Sequence, residues 1–156
     1  HRMRWVKDWQ GNTTLIVVPL HGRGNKDAQG AGAKIQRYTR PSNPRDPWKI
    51  ETLNDSWHKT HNFDPLQWDD DPAHELLVGA KEGVFVLNWS RTAGAYEAMR
   101  IGSDENGGVG EVRIGSLGPG KRFVAGVSPM HGNQLVTFLP GSDPAASPWQ
   151  APRRPG

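Results

Sequence analysis

Two groups of residues have types and spacings that could support chemistry. The first is an acidic run in which Asp69, Asp71 and Glu75 precede an apolar segment. Alternate carboxylates, together with a backbone carbonyl, can wrap a hard cation such as Ca²⁺, which takes about 6–8 oxygen ligands. The alternative is a solvated turn in which the aspartate oxygens accept hydrogen bonds from nearby backbone N–H groups.

The second group combines histidines with charged and amide side chains close to turns. A neutral histidine can act as an acid or a base near pH 7, and an arginine or lysine can stabilise a developing oxyanion. Three of these residues, His61, Glu111 and His131, could also bind Zn²⁺ or a harder divalent ion. The whole group comprises His21 with Arg23, His61 with Asn62 and Asp64, Lys81 with Glu82, Glu111 with Arg113, and His131 with Asn133.

Each member of the second group also has a purely structural interpretation. A histidine before a glycine turn, such as His21 or His131, can simply donate a hydrogen bond to a neighbouring carbonyl. His61 could cap an adjacent element, and Asp64 before Pro65 could be an Asx-turn residue. A common location for these residues would therefore favour a site over isolated surface roles.

The composition predicts many short strands. Only 35% of the 156 residues are hydrophobic, while 19 glycines and 13 prolines interrupt the chain at short intervals. There is no cysteine, which excludes disulfides and thiolate metal sites. The net charge of +3 is spread along the chain, so we expect no nucleic-acid partner. No apolar run approaches the roughly 18 residues of a membrane span.

One unit recurs three times along the chain. The glycines Gly22, Gly83 and Gly132 each separate two apolar runs with the character of strands. An aromatic residue then opens a third run, and a further strand starts some 20 residues before each glycine, near His1, at His61 and at Glu111. The aromatic residues are Trp48, Tyr96 and Trp149. The repeat predicts three four-stranded units, over residues 1–55, 56–104 and 105–156.

Units of about 40–50 residues with four short strands are typical of β-propeller blades. The alternative is an all-β sandwich whose strands are merely similar. Three blades do not close a ring, so we expect residues 1–156 to form part of a propeller. Its partners would be the remaining blades of a parent propeller or a second copy of the chain.

Strand direction within a blade predicts where the two groups lie. In a four-stranded antiparallel meander, the start of the first strand and the turn between the second and third strands are at the same end. The second group of residues should therefore converge at one mouth of a central channel. The Asp69–Glu75 loop joins a first strand to a second, so it should lie at the opposite end.

The sequence also resembles known propellers. The segment WDDDPAHELLVGAKEGVFVL resembles the Asp-rich FG-GAP or VCBS repeat, although Gln67 and Pro72 stand where that repeat prefers Asp and Gly. The segments VVPLHGRG, THNFDPLQWD, GEVRIG and PMHGNQLV resemble the propeller domain of aldos-2-ulose dehydratase and its bacterial relatives. Those propellers have seven blades, and the characterised ones eliminate water from oxidised sugars. The resemblance covers about three blades.

This resemblance implies a carbohydrate-like ligand at the channel mouth and a carbon–oxygen lyase activity. His61 and His131 would be the acid and base, Glu111 would orient one of them or bind a metal, and Arg23 or Arg113 would hold the oxyanion. The other members of the second group would bind the ligand. Ca²⁺, Mg²⁺ or Zn²⁺ is the expected cofactor, with structural Ca²⁺ in the acidic loop. The competing function is a non-catalytic scaffold for proteins or glycans. The resemblance favours an extracytoplasmic or secreted location.

Overall fold

The structure is a computed structural model that describes residues 1–103, 107–140 and 149. In these residues the fold is all-β, with no helix, as the composition predicted. The strands are β1 (Arg2–Lys7), β2 (Thr13–Val18), β3 (Ile35–Thr39), β4 (Lys49–Asn54), β5 (Thr60–Leu66), β6 (Glu75–Ala80), β7 (Gly83–Ser90), β8 (Ala95–Gly102), β9 (Val112–Ser116), β10 (Arg122–Ser128) and β11 (Gln134–Phe138).

The strands form three antiparallel sheets in which neighbours in sequence are neighbours in space. The first sheet has the order β1-β2-β3-β4, the second β5-β6-β7-β8, and the third β9-β10-β11. The glycine turn predicted at Gly83 joins β6 to β7, which pair from Ala80 opposite Gly83 onward. Each sheet is a simple meander, in which every strand pairs antiparallel with the next strand in sequence and no crossover is needed.

Two hydrophobic cores hold the sheets together. Between the first and second sheets lie residues such as Ile16, Ile35 and Val78, and between the second and third lie residues such as Leu77 and Phe138. Successive residues of a strand point to opposite faces, so β6 supplies both cores and all six of its residues are buried. The second sheet is therefore the centre of the molecule.

The linkers between sheets are fixed by backbone hydrogen bonds. Between the first two sheets, the Thr60 N–H donates to the Leu20 carbonyl at 3.0 Å, and the Lys81 N–H donates to the Lys59 carbonyl at 2.8 Å. Between the second and third sheets, the Gly110 N–H donates to the Val127 carbonyl at 2.9 Å. A Cβ on Gly110 would lie 2.1 Å from the Met130 carbonyl oxygen, so this close approach requires glycine. The starts of β5 and β9 are thereby held in place.

The repeated aromatic residues differ in what covers them. Tyr96 packs against the first core, and Trp149 is buried in the second, where it stacks on Trp68. Trp48 instead contacts Trp5 on the outer face of the first sheet, where Trp5 is 57% exposed. This outer face, which also carries the exposed Met3 and Ile50, has no covering sheet among the described residues.

The three described sheets do not close into a ring. The structure shows the predicted all-β class and three antiparallel sheets, whereas their identity as propeller blades stays a prediction. The fourth strand predicted for the third unit is the run that opens at Trp149. It lies outside the described residues apart from Trp149 itself. Along the described ranges, no helix is long and apolar enough to cross a membrane.

Candidate functional site

Polar residues from all three sheets meet at the end where β1, β5 and β9 begin. We call this end the mouth, and it comprises His1, Arg2, His61, Asn62, Glu111, Arg113 and His131. The first strands contact one another, β5 lying against both β1 and β9. Because the linkers fix where β5 and β9 start, residues distant in sequence become neighbours here.

Glu111 is the centre of the mouth. Its Oε1 accepts a hydrogen bond from Arg2 Nη2 at 3.0 Å, and its Oε2 accepts one from Asn62 Nδ2 at 2.5 Å. Arg113 Nη1 lies 3.5 Å from Oε2. One carboxylate thus contacts two guanidinium groups and one amide. Arg2 belongs to the first sheet, Asn62 to the second, and Arg113 to β9, the strand that follows Glu111. Charge-assisted hydrogen bonds of this kind fix geometry well.

Three histidines form a row beside Glu111. The ring centroids of His1 and His61 are 5.4 Å apart, and those of His61 and His131 are 4.8 Å apart, with both pairs edge-to-face. Burial and, next, the charge of His131 lower the pKa of His61, while Glu111, with an oxygen 3.7 Å from His61 Nδ1, opposes them. His61 is therefore neutral near pH 7, as a general base must be.

Several polar atoms of the mouth are buried without a hydrogen-bond partner. Among the described residues, these include Arg2 Nε, His61 Nδ1 and Asn62 Oδ1. An unpaired buried polar atom costs about 1–3 kcal/mol, so such atoms are worth explaining. Donors and acceptors that lack partners are therefore concentrated in one small cluster at the mouth.

The mouth does not have the spacing of a metal site. Within the described ranges, only one group of three or more histidine or acidic residues places its ligand atoms within 4.8 Å of one another, and it is the acidic loop. His61, Glu111 and His131, which the sequence suggested as a metal set, do not meet that spacing. The arrangement at the mouth can exchange protons and bind polar groups with its own side chains.

The other residues predicted for this site lie around the mouth rather than in it. His21 pairs with Lys59 through a β-bridge. Arg23, Lys81 and Asn133 are exposed, and Asp64 is half-buried on β5 opposite Leu77. No hydrogen bond or ion pair of the described residues joins Arg23 to Glu111 or to the histidines. The guanidinium groups that approach Glu111 are those of Arg2 and Arg113.

Two contacts near the mouth were missed from the sequence. Arg2 was not named, although its position at the start of a first strand is equivalent to those of His61 and Asn62. Glu82 was expected to bind ligand, but its Oε1 lies 2.8 Å from His58 Nδ1 and accepts a hydrogen bond from the His58 N–H at 2.9 Å. No spacing rule links residues 58 and 82, because their contact depends on the linker between the first two sheets.

The acidic loop lies at the opposite end of β5, about 20 Å along the strand. Its aspartates act as turn residues: Asp69 Oδ1 accepts a hydrogen bond from the Asp71 N–H at 2.9 Å, and Asp71 Oδ1 accepts one from the Ala73 N–H at 2.6 Å. Asn88 Nδ2 donates to Asp69 Oδ2 at 3.0 Å. These contacts are those expected of a turn in which aspartate oxygens accept hydrogen bonds from nearby backbone N–H groups.

Glu75 is the unusual member of the acidic loop, because its side chain is fully buried. Its Oε2 accepts a hydrogen bond from the Trp68 N–H at 2.5 Å, but its Oε1 has no partner among the described residues. Burial, and then the charge of Asp69, raise the pKa of Glu75 from 4.5 to about 7, although the Trp68 hydrogen bond opposes this shift. The ligand atoms of Asp69, Asp71 and Glu75 lie within 4.8 Å of one another, so this loop could hold a metal ion.

A scan of the chain against protein-family models gives no match, and a search of curated proteins gives none either.

Proposed function

We propose that this chain contributes to a carbohydrate-binding site at the channel mouth of a β-propeller. The observation that carries the proposal is the meeting of Arg2, Glu111 and the histidine pair, from three separate sheets, at one end of the molecule. Sugar hydroxyls both donate and accept hydrogen bonds. The mouth has partly exposed groups of both kinds, with the Arg2 and Arg113 guanidinium groups as donors and the Glu111 carboxylate as an acceptor.

The same residues can catalyse elimination from an oxidised sugar. His61, neutral near pH 7, would remove the proton α to the carbonyl, and the electron pair would form an enolate whose oxygen the Arg2 or Arg113 guanidinium stabilises. The enolate would then expel the β-hydroxyl, which would take a proton from His131 and leave as water. The product is a conjugated enone. Glu111 would position the two arginines.

The test combines ligand binding with an elimination assay on the full chain. We expect sugars to bind to the wild-type chain, Glu111→Gln to weaken binding about tenfold or more, and His61→Gln to abolish formation of the ultraviolet-absorbing enone from a keto sugar. Glu97→Gln is the matched control, because Glu97 is an exposed glutamate on β8 that joins none of the mouth contacts. Sugar binding that survives Glu111→Gln unchanged would refute the proposal.

The second candidate is a non-catalytic propeller that docks proteins or glycans. The exposed outer face of the first sheet favours it, since Trp5, which Trp48 contacts, lines a groove of about 750 Å³. Sugar binding without enone formation, together with unchanged binding in His61→Gln, would support this scaffold role over the lyase.

The uncovered outer face also supports the propeller architecture. Tyr96 and Trp149 fill cores between sheets, so an equivalent sheet should cover Trp48. That sheet would come from further blades of a parent propeller or from a second copy of the chain. Sedimentation of the 156-residue chain tests the second source: a defined dimer that Trp5→Glu dissociates would support it, and a monomer at all concentrations would contradict it.

For the acidic loop we propose a structural Ca²⁺ site. The buried, unpartnered Glu75 Oε1 favours it, because a cation would satisfy this oxygen and keep the carboxylate charged. Asp69 and Asp71 would supply further oxygens. Equilibrium dialysis with calcium should give one bound ion per chain, and none for Glu75→Gln.

A further inference from the structure

A second cavity opens beside the histidine pair. It has a volume of about 240 Å³ and is lined by Asp27, Ala28, Lys59, Lys81, Gly107 and Met130. Lys59 lies two residues before His61, and Met130 directly precedes His131. The positive charge of Lys59 is one of the influences that lower the pKa of His61, which places the cavity within electrostatic reach of the mouth. We call it the lysine pocket.

Among the described residues, the two lysines of the pocket form no ion pair with an acidic side chain. In the described part of the chain, neither the Lys59 nor the Lys81 ammonium group makes an ion pair or a hydrogen bond. Their backbones are nonetheless fixed to each other by the 2.8 Å hydrogen bond from the Lys81 N–H to the Lys59 carbonyl. Two cations are thus placed side by side at one cavity without a counter-charge of their own.

The opposite wall of the lysine pocket is a strained turn. Asp27 and Ala28 have φ angles of 51° and 60°, a region that non-glycine residues rarely adopt. The flanking residues Lys26 and Gln29 exchange backbone hydrogen bonds at 3.1 and 2.9 Å, which defines a tight hairpin turn. Such turns normally use Asn-Gly or Gly at these positions. Strain of this kind concentrates at ligand sites, and here it holds the Asp27 carboxylate at the cavity.

This turn is also tied to the linker that carries Lys59. Asn25 Nδ2 donates hydrogen bonds to the Ala31 carbonyl at 2.8 Å and to the His58 carbonyl at 3.0 Å. The two walls of the pocket are therefore joined to each other. One wall carries the Lys59 and Lys81 ammonium groups, and the other carries the Asp27 carboxylate. Its charge selects for an anion, and Asp27 adds an acceptor for a hydroxyl group next to it.

We infer that the lysine pocket binds the anionic group of an acidic carbohydrate whose ring lies at the mouth. Lys59 and Lys81 bind the carboxylate or phosphate oxygens, and Asp27 accepts a hydrogen bond from a ligand hydroxyl. This inference rests on the proposed carbohydrate site, because it assigns that site a substrate class: sugar acids or sugar phosphates rather than neutral sugars.

The test compares three ligands of matched size by calorimetry on the full chain: glucose, glucuronate and glucose 6-phosphate. The lysine pocket should give at least one anionic sugar an affinity about tenfold or more above that of glucose. The double variant Lys59→Met/Lys81→Met should lose this preference and keep the affinity for glucose. Lys34→Met, which removes an exposed lysine outside the pocket, is the control. Melting curves of each variant verify folding.

The outcomes separate the two claims. If all three sugars bind equally and Glu111→Gln weakens them all, the carbohydrate site stands and the lysine pocket is refuted. If the double variant keeps the anionic preference, the pocket is refuted as well. If no sugar binds the wild-type chain, both claims fail. Preference for glucuronate alone identifies a carboxylate ligand, and preference for glucose 6-phosphate alone identifies a phosphate.

Discussion

Two carboxylates that lie near opposite ends of β5 have contrasting surroundings. Glu111, at the mouth, is partly exposed and has more donors than it has oxygens, because Arg2, Asn62 and Arg113 all approach it. Glu75, at the other end, is fully buried and receives one backbone N–H, while its Oε1 receives nothing. The first carboxylate is surrounded by positive charge, and the second lies beside other acidic groups.

The difference shows what each carboxylate needs. Glu111 is satisfied by the chain itself, so its charge is available to position the arginines for a ligand. Glu75 is buried with too few hydrogen-bond donors for its charged form, and its pKa is accordingly raised to about 7. A bound proton or a bound cation can neutralise the buried negative charge of Glu75. The mouth is therefore suited to the ligand binding proposed for it. The acidic loop should instead make the stability of the fold depend on pH and on bound cations.

The largest effect should come from the pH dependence of stability at Glu75, measured in a metal chelator. Its pKa is raised from 4.5 to about 7, so folding favours its protonated form. The stabilising contribution is fully present below pH 4.5 and is lost as the pH rises through 7. Relative to Glu75→Gln, whose side chain stays neutral, the wild type should lose about 3 kcal/mol between pH 4.5 and pH 8.5.

Thermal melts across this pH range measure the effect. A loss of that size corresponds to roughly 6–12 °C for a chain of this length. Glu111→Gln is the control, since it changes a carboxylate of the same type at the mouth. If wild type and Glu75→Gln show parallel pH profiles, Glu75 is not the strained carboxylate that its burial indicates.

The next effect should be stabilisation by calcium at pH 8. A cation bound by the folded chain alone raises stability by about 2.7 kcal/mol at a hundredfold excess over its dissociation constant. Melting temperature measured with increasing calcium should therefore rise for the wild type and not for Glu75→Gln. An equal rise in both would mean that calcium binds elsewhere and that the acidic loop is only a turn.

A smaller effect on stability is expected at the mouth. Glu111→Gln keeps a hydrogen-bond acceptor for Asn62 and removes partly exposed ion pairs, which are typically worth about 0–1 kcal/mol. Urea unfolding should therefore detect a change below about 1 kcal/mol, even though ligand binding is lost. A loss of several kcal/mol would show that Glu111 holds the sheets together and would weaken its assignment as a binding residue.

The smallest effect should be a change in the titration of His61. Burial is the main cause of its lowered pKa and His131 is the second, so His131→Ala should move the pKa of His61 upward but not fully to its ordinary value. Proton NMR of the imidazole resonances measures this shift. A downward shift would show that His131 raises the pKa of His61 rather than lowering it.

The sequence and the structure agree where the relevant residues are close together along the chain. The all-β class followed from glycine and proline spacing, and the turn contacts of Asp69 and Asp71 each span two residues. The mouth was reached through the repeat, because equivalent strand starts predict a common end for His61, Glu111 and His131. What could not be predicted is pairing across a linker, as between His58 and Glu82, or the shortage of donors at Glu75. Both depend on how the sheets pack.

The backbone hydrogen bonds of the linkers have a consequence for how such a chain can diversify. Residues 60 and 110 are held by main-chain groups, through contacts to the Leu20 and Val127 carbonyls. The neighbouring side chains, those of His61 and Glu111, take no part in this attachment. Replacing them changes what the mouth recognises while the scaffold stays intact. The proposed specificity of the mouth can therefore be changed by substitution without redesigning the sheets that support it.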